Sequence, residues 1–383
     1  LSLMSKRTDV LLGQLVEEAT RKAASAPKGS PTQQVGDLYA AGMDEARLKA
    51  LGNAPLQPVF QRIRVISDKQ QLPSEIARLQ LATNDTIMLG GAVTPGIRDK
   101  SKYIFVVSDS SLLLSNFEDY YKPEAARYRE AYLKNVTDTL VLAGFNISES
   151  RAFADKALAI ETRIAKVRQP LLDQNEPDKR YLLMRYEELK VLTPAFDWDA
   201  YFATIGLTPP TEVTAVETKA MAERSAILSE LSLDDLKMLL MWEYLRRVTG
   251  GLSPDFNEPK LALSRTYFGD SFALPTRSKQ VLDTIAGTIG HPMARLFVEK
   301  NFSAESKRAV EDMVGRVHAE FRSRLAKNTW LTKATRQQAL YKLDKVKISV
   351  GYPEKWIDYS AVDIRPGEYF GDLERISEFL AQR

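Results

Sequence analysis

The chain contains no cysteine. Disulfides, iron–sulfur clusters and cysteine-ligated zinc are therefore excluded. A secreted animal domain of this size ordinarily carries cystines, so their absence favours a bacterial source. Histidine is almost absent too: His291 and His318 are the two in 383 residues. Long apolar runs are missing, and Leu112-Leu113-Leu114 falls far short of the roughly 18 residues that a spanning helix needs. No charge of one sign dominates, with 53 Lys and Arg against 50 Asp and Glu and a net charge of +3. That balance gives no argument for nucleic acid as a partner. No repeat period of 20–50 residues is present.

What remains is the composition of a globular protein, 44% hydrophobic and 27% charged, which leaves no room for a disordered or fibrous reading. The length exceeds the roughly 250–300 residues beyond which chains divide into more than one compact unit. The first residue is Leu1 rather than methionine, which suggests an upstream segment that was removed. A signal peptide would be such a segment, although none is visible. A periplasmic or secreted location is expected.

Helical periodicity dominates. Leu11, Leu12, Leu15, Val16 and Ala19 recur at three- and four-residue steps and predict one amphipathic helix over residues 1–24. Ala23 to Pro31 reads as a loop. Further helices are expected near 33–51, 73–83, 123–144, 149–168, 179–191 and 197–206. Tyr103 to Val107 reads as a strand, as does the alternation of Val346, Ile348 and Val350 before Gly351. The fold class is mainly α with a few short strands. Pro209-Pro210 cannot sit inside a helix, and the pair suggests a boundary between units 1–207 and 211–383. In the second unit, Ser303 is placed to cap a helix over 304–327. Val310, Met313, Val314, Val317, Phe321 and Leu325 are its expected buried stripe. Thr332 is placed to cap the next helix, which carries Leu340 and Leu343.

The search for chemistry finds no catalytic or metal residue. A zinc-binding helix needs histidines at i and i+4 with a glutamate beside the first. His291 and His318 lie 27 positions apart. His291 precedes Pro292, as at a turn or helix start, and His318 reads as a helix-flank residue. There is no cysteine nucleophile and no Gly-x-Ser-x-Gly elbow. Gly90-Gly91 has no Gly-Lys-Ser/Thr after it, so it makes no phosphate loop, and Gly250-Gly251 reads as a helix stop. Asp234-Asp235 and Glu187-Glu188 read as first-turn acids or solvated faces. Trp198, Tyr201, Phe202, Trp242, Tyr244, Trp356 and Tyr359 read as core. Sequons at Asn84, Asn135, Asn146 and Asn301 read as coincidental.

A set of short words goes further. Gly36-Asp37-Leu38-Tyr39-Ala40-Ala41-Gly42-Met43-Asp44, Leu142-Ala143-Gly144-Phe145 and Ile160-Glu161-Thr162 occur in order, as does Phe196-Asp197-Trp198. Leu296-Phe297-Val298-Glu299-Lys300-Asn301-Phe302, Trp330, Gly351-Tyr352-Pro353, Trp356 and Asp358-Tyr359-Ser360 follow. In order and spacing these words resemble the non-catalytic N-terminal region of the neprilysin family of zinc metallopeptidases. Two stretches depart from the family pattern. Leu112 to Tyr121 has none of the glycines of the corresponding segment, and Pro275-Thr276-Arg277-Ser278-Lys279 replaces another word.

The resemblance implies two multiply connected helical lobes around a chamber that admits peptides. It implies that the zinc motif lies C-terminal to everything present here, so zinc is expected only in a domain absent from this chain. Residues 1–207 would pack with the zinc-binding lobe, and 211–383 would cover the chamber. The expected partners are a C-terminal zinc-binding peptidase domain or an active paralogous subunit, together with peptide substrates. Two readings follow. One is the N-terminal portion of a metalloendopeptidase, and the other is a non-catalytic, degenerate subunit that scaffolds or regulates an active paralogue. The exposed partner surface would include Leu11, Leu12, Leu15 and Val16.

Overall fold

The first helical pattern becomes α1, Ser2–Ala23, and the small-residue loop after it ends at α2, Pro31–Met43. The computed structural model describes residues 2–97, 99–170, 176 and 180–383, with side chains from Lys6 onward. α3 (Glu45–Leu51), α4 (Gln57–Arg64) and α5 (Leu72–Thr83) precede two strands, β1 (Leu89–Pro95) and β2 (Tyr103–Asp109). α6 (Ala126–Leu142) and α7 (Ile147–Val167) are followed by β3 (Tyr181–Arg185), α8 (Tyr186–Leu192), α9 (Trp198–Thr204) and β4 (Glu212–Val216). Then come α10 (Thr218–Glu230), α11 (Leu233–Val248), α12 (Asn257–Phe268) and α13 (Arg277–Thr288). α14 (Gly290–Asn301), α15 (Ala304–Ala326), α16 (Lys333–Asp344) and α17 (Tyr369–Ala381) complete the chain. The fold is mainly α with one small sheet, as the patterning predicts.

Local chemistry sets many of the ends. Ser303 accepts from Ser306 N at 3.1 Å and Thr332 from Thr335 N at 3.2 Å, so both expected caps form. Asp234-Asp235 and Glu187-Glu188 occupy first turns, where the helix dipole favours acids. The helix expected over 33–51 is two helices, because the Asp44 carboxylate accepts from Arg47 N at 3.0 Å and starts a new one.

Three expectations fail. Within 179–191, residue 179 lies outside the described residues, and Tyr181–Arg185 is a strand before α8 begins. That strand pairs antiparallel with β4, Tyr181 opposite Val216, so a long-range ladder overrides local helix patterning. Val346 to Val350 forms no strand, as no ladder partner for it exists among the described residues. The stripe expected to be buried on α15 is not buried at any position.

The chain also divides elsewhere than at Pro209-Pro210. One compact unit is Leu1–Ala41 with Arg277–Pro366, and the other is Gly42–Thr276 with Gly367–Arg383. The expected boundary 1–207/211–383 fails because β4, just past the prolines, is an inner strand of the sheet. The strand order is β1-β2-β4-β3. β1 and β2 are antiparallel, and β2 runs parallel to β4 with Phe105 opposite Val213 and Val107 opposite Ala215. These four residues are buried on one face, the period-two pattern of a sheet with one side against a core.

That core gathers Phe60, Trp198, Tyr201, Phe202, Trp242 and Tyr244, all fully buried. Two of the buried polar tips find partners: Trp198 Nε1 donates to Thr193 Oγ1 at 2.8 Å and Tyr201 OH donates to Gln80 Oε1 at 2.6 Å, whereas Trp242 Nε1 has none. In the other unit, α1 buries Leu15, Val16 and Ala19 and packs with α13 and α14. It is covered, not the exposed partner surface expected of it. α1 and α2 approach so closely at Gly36 that a Cβ there would lie 2.5 Å from Ala19 O.

Candidate functional site

In the unit that holds the sheet, β2 ends at Asp109 and the chain runs on through Ser110 to Tyr121. This stretch is held by buried charges. Arg168 Nη2 donates to Asp109 Oδ2 at 2.6 Å, and Arg224 Nε donates to the same oxygen at 3.3 Å. Both arginines also donate to Ser110 O, at 3.1 and 3.0 Å. Arg246 donates to Ser111 O and binds Glu243 at 3.0 Å. Arg247 Nη1 donates to Glu243 Oε2 at 2.6 Å, and Arg224 stands 3.7 Å from Glu243. Beside it, Glu161 on α7 accepts from Leu113 N at 2.9 Å and from Tyr120 OH. The glycine-free stretch Leu112–Tyr121 is therefore held by side chains to its backbone.

The carboxylates respond in opposite ways. Burial raises Glu243, but Arg246, Arg247 and Arg224 outweigh it and hold the group at about 2. Burial raises Asp109 and Glu161 above the ordinary carboxylate range, and their arginine and hydrogen-bond partners offset only part of that. A cavity of about 550 Å³ lies beside the network, lined in part by Asp109, Leu112, Phe117, Arg168, Tyr181 and Glu217. Each of the four arginines already binds a carboxylate, so the group is arranged to hold a loop beside a cavity. It contains no nucleophile poised against a base.

In the other unit the short words of the sequence converge. Gly351 has φ 69°, and a Cβ there would stand 2.6 Å from the Phe302 ring. Phe302 meets Tyr352 edge-on at 5.9 Å, Tyr352 stacks on Trp356 at 6.1 Å, and Trp356 meets His291 at 5.7 Å. Lys307 Nζ lies 4.3 Å over the Tyr352 ring. Gln34 Nε2 donates to Tyr359 O at 2.6 Å and Gln33 Nε2 to Ile364 O at 3.1 Å. The departing word at 275–279 is integrated here as well: Ser278 Oγ lies 2.9 Å from Tyr39 OH, and Lys279 binds Asp9 at 3.1 Å.

The two histidines have structural places. His291 Nδ1 accepts from Ile357 N at 3.1 Å, and His318 Nε2 donates to Leu343 O at 3.2 Å. Among the described residues no group of three or more His, Cys, Asp or Glu could hold a metal ion, so this arrangement does not fit a catalytic zinc. No helix of the described residues is long and apolar enough to cross a membrane. Sequence reasoning missed Asp109, Arg168, Arg224, Glu243 and Arg246. The available signal was a charge within an apolar run, as with Glu243 between Trp242 and Tyr244.

A mainly helical chain whose words pack into shared clusters defines a neprilysin-like N-terminal region. The sequence model of peptidase family M13 matches residues 1–353, and the chain belongs to that family. Neprilysin-3 of Drosophila melanogaster is 25% identical over 309 residues, covering 75% of this chain and 39% of the insect protein. An endothelin-converting enzyme homolog of Locusta migratoria is 24% identical over 327 residues, covering 80% of this chain and 45% of its own length. Among solved structures, zinc metalloprotease ZMP1 of Mycobacterium tuberculosis superposes with a TM-score of 0.90 at 24% identity. That match covers 100% of this chain and 59% of the mycobacterial one. PEPO from Lactobacillus rhamnosis gives 0.80 at 19% identity. The chain thus spans less than half the length of these two curated relatives.

Proposed function

We propose that this chain is the N-terminal portion of a neprilysin-like zinc metalloendopeptidase that cleaves peptides, forming the helical cover of the substrate chamber. Zinc and the catalytic residues belong, in this reading, to a C-terminal portion. The observation that carries it is the family match over residues 1–353 in a fold that accounts for 59% of a zinc metalloprotease. The compact units redistribute the roles expected of 1–207 and 211–383. We assign the cover to the sheet-bearing unit and the contact with the zinc portion to the unit of Leu1–Ala41 and Arg277–Pro366. A periplasmic or secreted location accompanies this reading.

The second reading, a non-catalytic subunit of an active paralogue, draws on the departures at Leu112–Tyr121 and Pro275–Lys279. Both stretches are well held by their neighbours, which weakens the case for degeneration. The test is peptide hydrolysis by the protein isolated from its source, together with the reading frame beyond Arg383. Chelator-sensitive hydrolysis by a species carrying H-E-x-x-H supports the first reading. A 383-residue species that hydrolyses nothing overturns it and favours the second.

A further inference from the structure

The sheet presents a second face that its core does not use. Leu182 and Met184 stand opposite Ala215 and Val213 on the core side. Tyr181 and Leu183 therefore share the other face with Val216 and Thr214, and Val106, opposite Thr214, joins them. A sheet face that met only water would carry polar residues here, yet this one is mostly apolar. Two cavities lie along it. One is the 550 Å³ space beside the arginine network, and the other, of about 410 Å³, is lined in part by Ile97, Tyr103, Ile104, Leu183 and Pro210. Tyr181 lines both and joins them into one trough. Each has the size of a small-ligand site.

The charges at the two ends of the trough are opposite and unused. Arg180 lines the larger cavity, is exposed, and meets no carboxylate among the described residues; its guanidinium lies 5.3 Å from the Tyr181 ring centre. Glu212 lines the smaller cavity, is exposed, and meets no cation among the described residues. The neighbouring charges are occupied. Arg168 binds Asp109 at 2.6 Å, Glu217 accepts from Gln169 N at 3.1 Å, Arg185 binds Glu188 at 2.9 Å and Lys102 stands 3.9 Å from Asp99. The register sets Glu212 opposite Arg185 and Tyr181 opposite Val216. Arg180 and Glu212 are thus about five residue steps apart along the strands, or roughly 16 Å. We propose that this trough holds a short peptide with both ends free, its carboxylate at Arg180 and its ammonium at Glu212, over the apolar floor between them. The inference rests on the peptidase reading, which makes peptides the available ligand, and it adds a size class. An extended chain spans 16 Å with about four to six residues, and only a peptide of that length reaches both charges at once.

The experiment is a calorimetric titration of the protein as made by its source, with chelator present so that peptides survive. The probe is Leu-Ala-Leu-Ala-Leu with free ends, compared with the same peptide amidated, acetylated or capped at both ends. Amidation and acetylation are each expected to weaken binding about threefold to fivefold, the size of an exposed ion pair. Arg180→Gln is expected to erase the effect of amidation alone, and Glu212→Gln that of acetylation alone. Both positions are exposed, so the thermal transition is expected to stay in place and show that the variants fold. No binding of the free-ended peptide up to about 1 mM, or a capping effect that persists in its variant, overturns the proposal. Equal affinity for a doubly capped peptide ending in glutamate overturns it as well, since the trough would then read acidic side chains and not peptide ends. Hydrolysis measured without chelator separates this failure from that of the peptidase reading. Chelator-sensitive hydrolysis with capping effects that ignore both variants leaves the peptidase reading standing and removes the trough. Capping effects erased by the variants, in a preparation that hydrolyses no peptide with or without chelator, uphold the peptide site and remove the peptidase reading.

Discussion

Arg224 touches two carboxylates at once, Asp109 at 3.3 Å and Glu243 at 3.7 Å, and is itself fully buried. Arg224→Met leaves both acids short of a partner, and breaking a buried ionic group this way costs about 3–5 kcal/mol. Urea unfolding of the isolated chain is expected to show that loss, with far-UV circular dichroism retained before the transition. Glu243 provides a pH signature. It ordinarily titrates at 4.5, and in the fold three arginines outweigh burial to hold it at about 2. A carboxyl depressed by folding adds stability that is complete above its unfolded value and is lost as pH falls toward its folded one. The stability difference between the wild type and Glu243→Gln is therefore expected to shrink between pH 4.5 and 2. A difference that stays constant across that window would remove the electrostatic account. Gly36 sets a steric limit instead. A Cβ there meets backbone at 2.5 Å, and Gly36→Ala is expected to cost about 1–3 kcal/mol, as overpacking does. None of the network residues was legible as a site in sequence, because a buried ion pair is written by residues far apart, such as Asp109 and Arg224. The glycine was legible as part of a family word, but its reason is the α1–α2 approach.

Elements were read well where one period dominates. α1, α5, α7 and α15 lie within a few residues of their expected ends, and the caps at Ser303 and Thr332 formed as placed. The failures share one physical origin. Periodicity says that a face is apolar, not which element covers it. Tyr181–Arg185 became a strand because β4 offered it a ladder, and Val346–Val350 stayed without one. α15 makes this measurable. In the isolated chain, Phe321→Ser is expected to change unfolding stability by no more than about 0.5 kcal/mol, as for an exposed site. Phe60→Ala, at a fully buried aromatic, is expected to cost about 3–5 kcal/mol. Chemical denaturation of the two variants side by side checks the contrast, and comparable losses would mean that α15 is covered in solution by its own chain.

At the scale of the whole molecule, the isolated 1–383 chain is expected to retain well under one zinc per chain after dialysis, because two separated histidines cannot supply three or four converging ligands. Metal analysis by mass spectrometry checks this, and stoichiometric zinc surviving a weak chelator would refute it. The order in which the chain is made adds a constraint of its own. α17 returns from residue 369 to pack on α5 in the sheet-bearing unit, and there Tyr244 OH donates to Glu374 at 2.6 Å. Phe370 enters the same core. α1 likewise waits for α13 and α14. A ribosome releasing this chain from its N-terminus holds two unfinished bodies at once, and the larger is closed only after residues 369–381 have emerged. Until then the seat of Phe370 stays open to water, and a holdase that recognises apolar surface has its longest opportunity on nascent chains that have not yet reached residue 369.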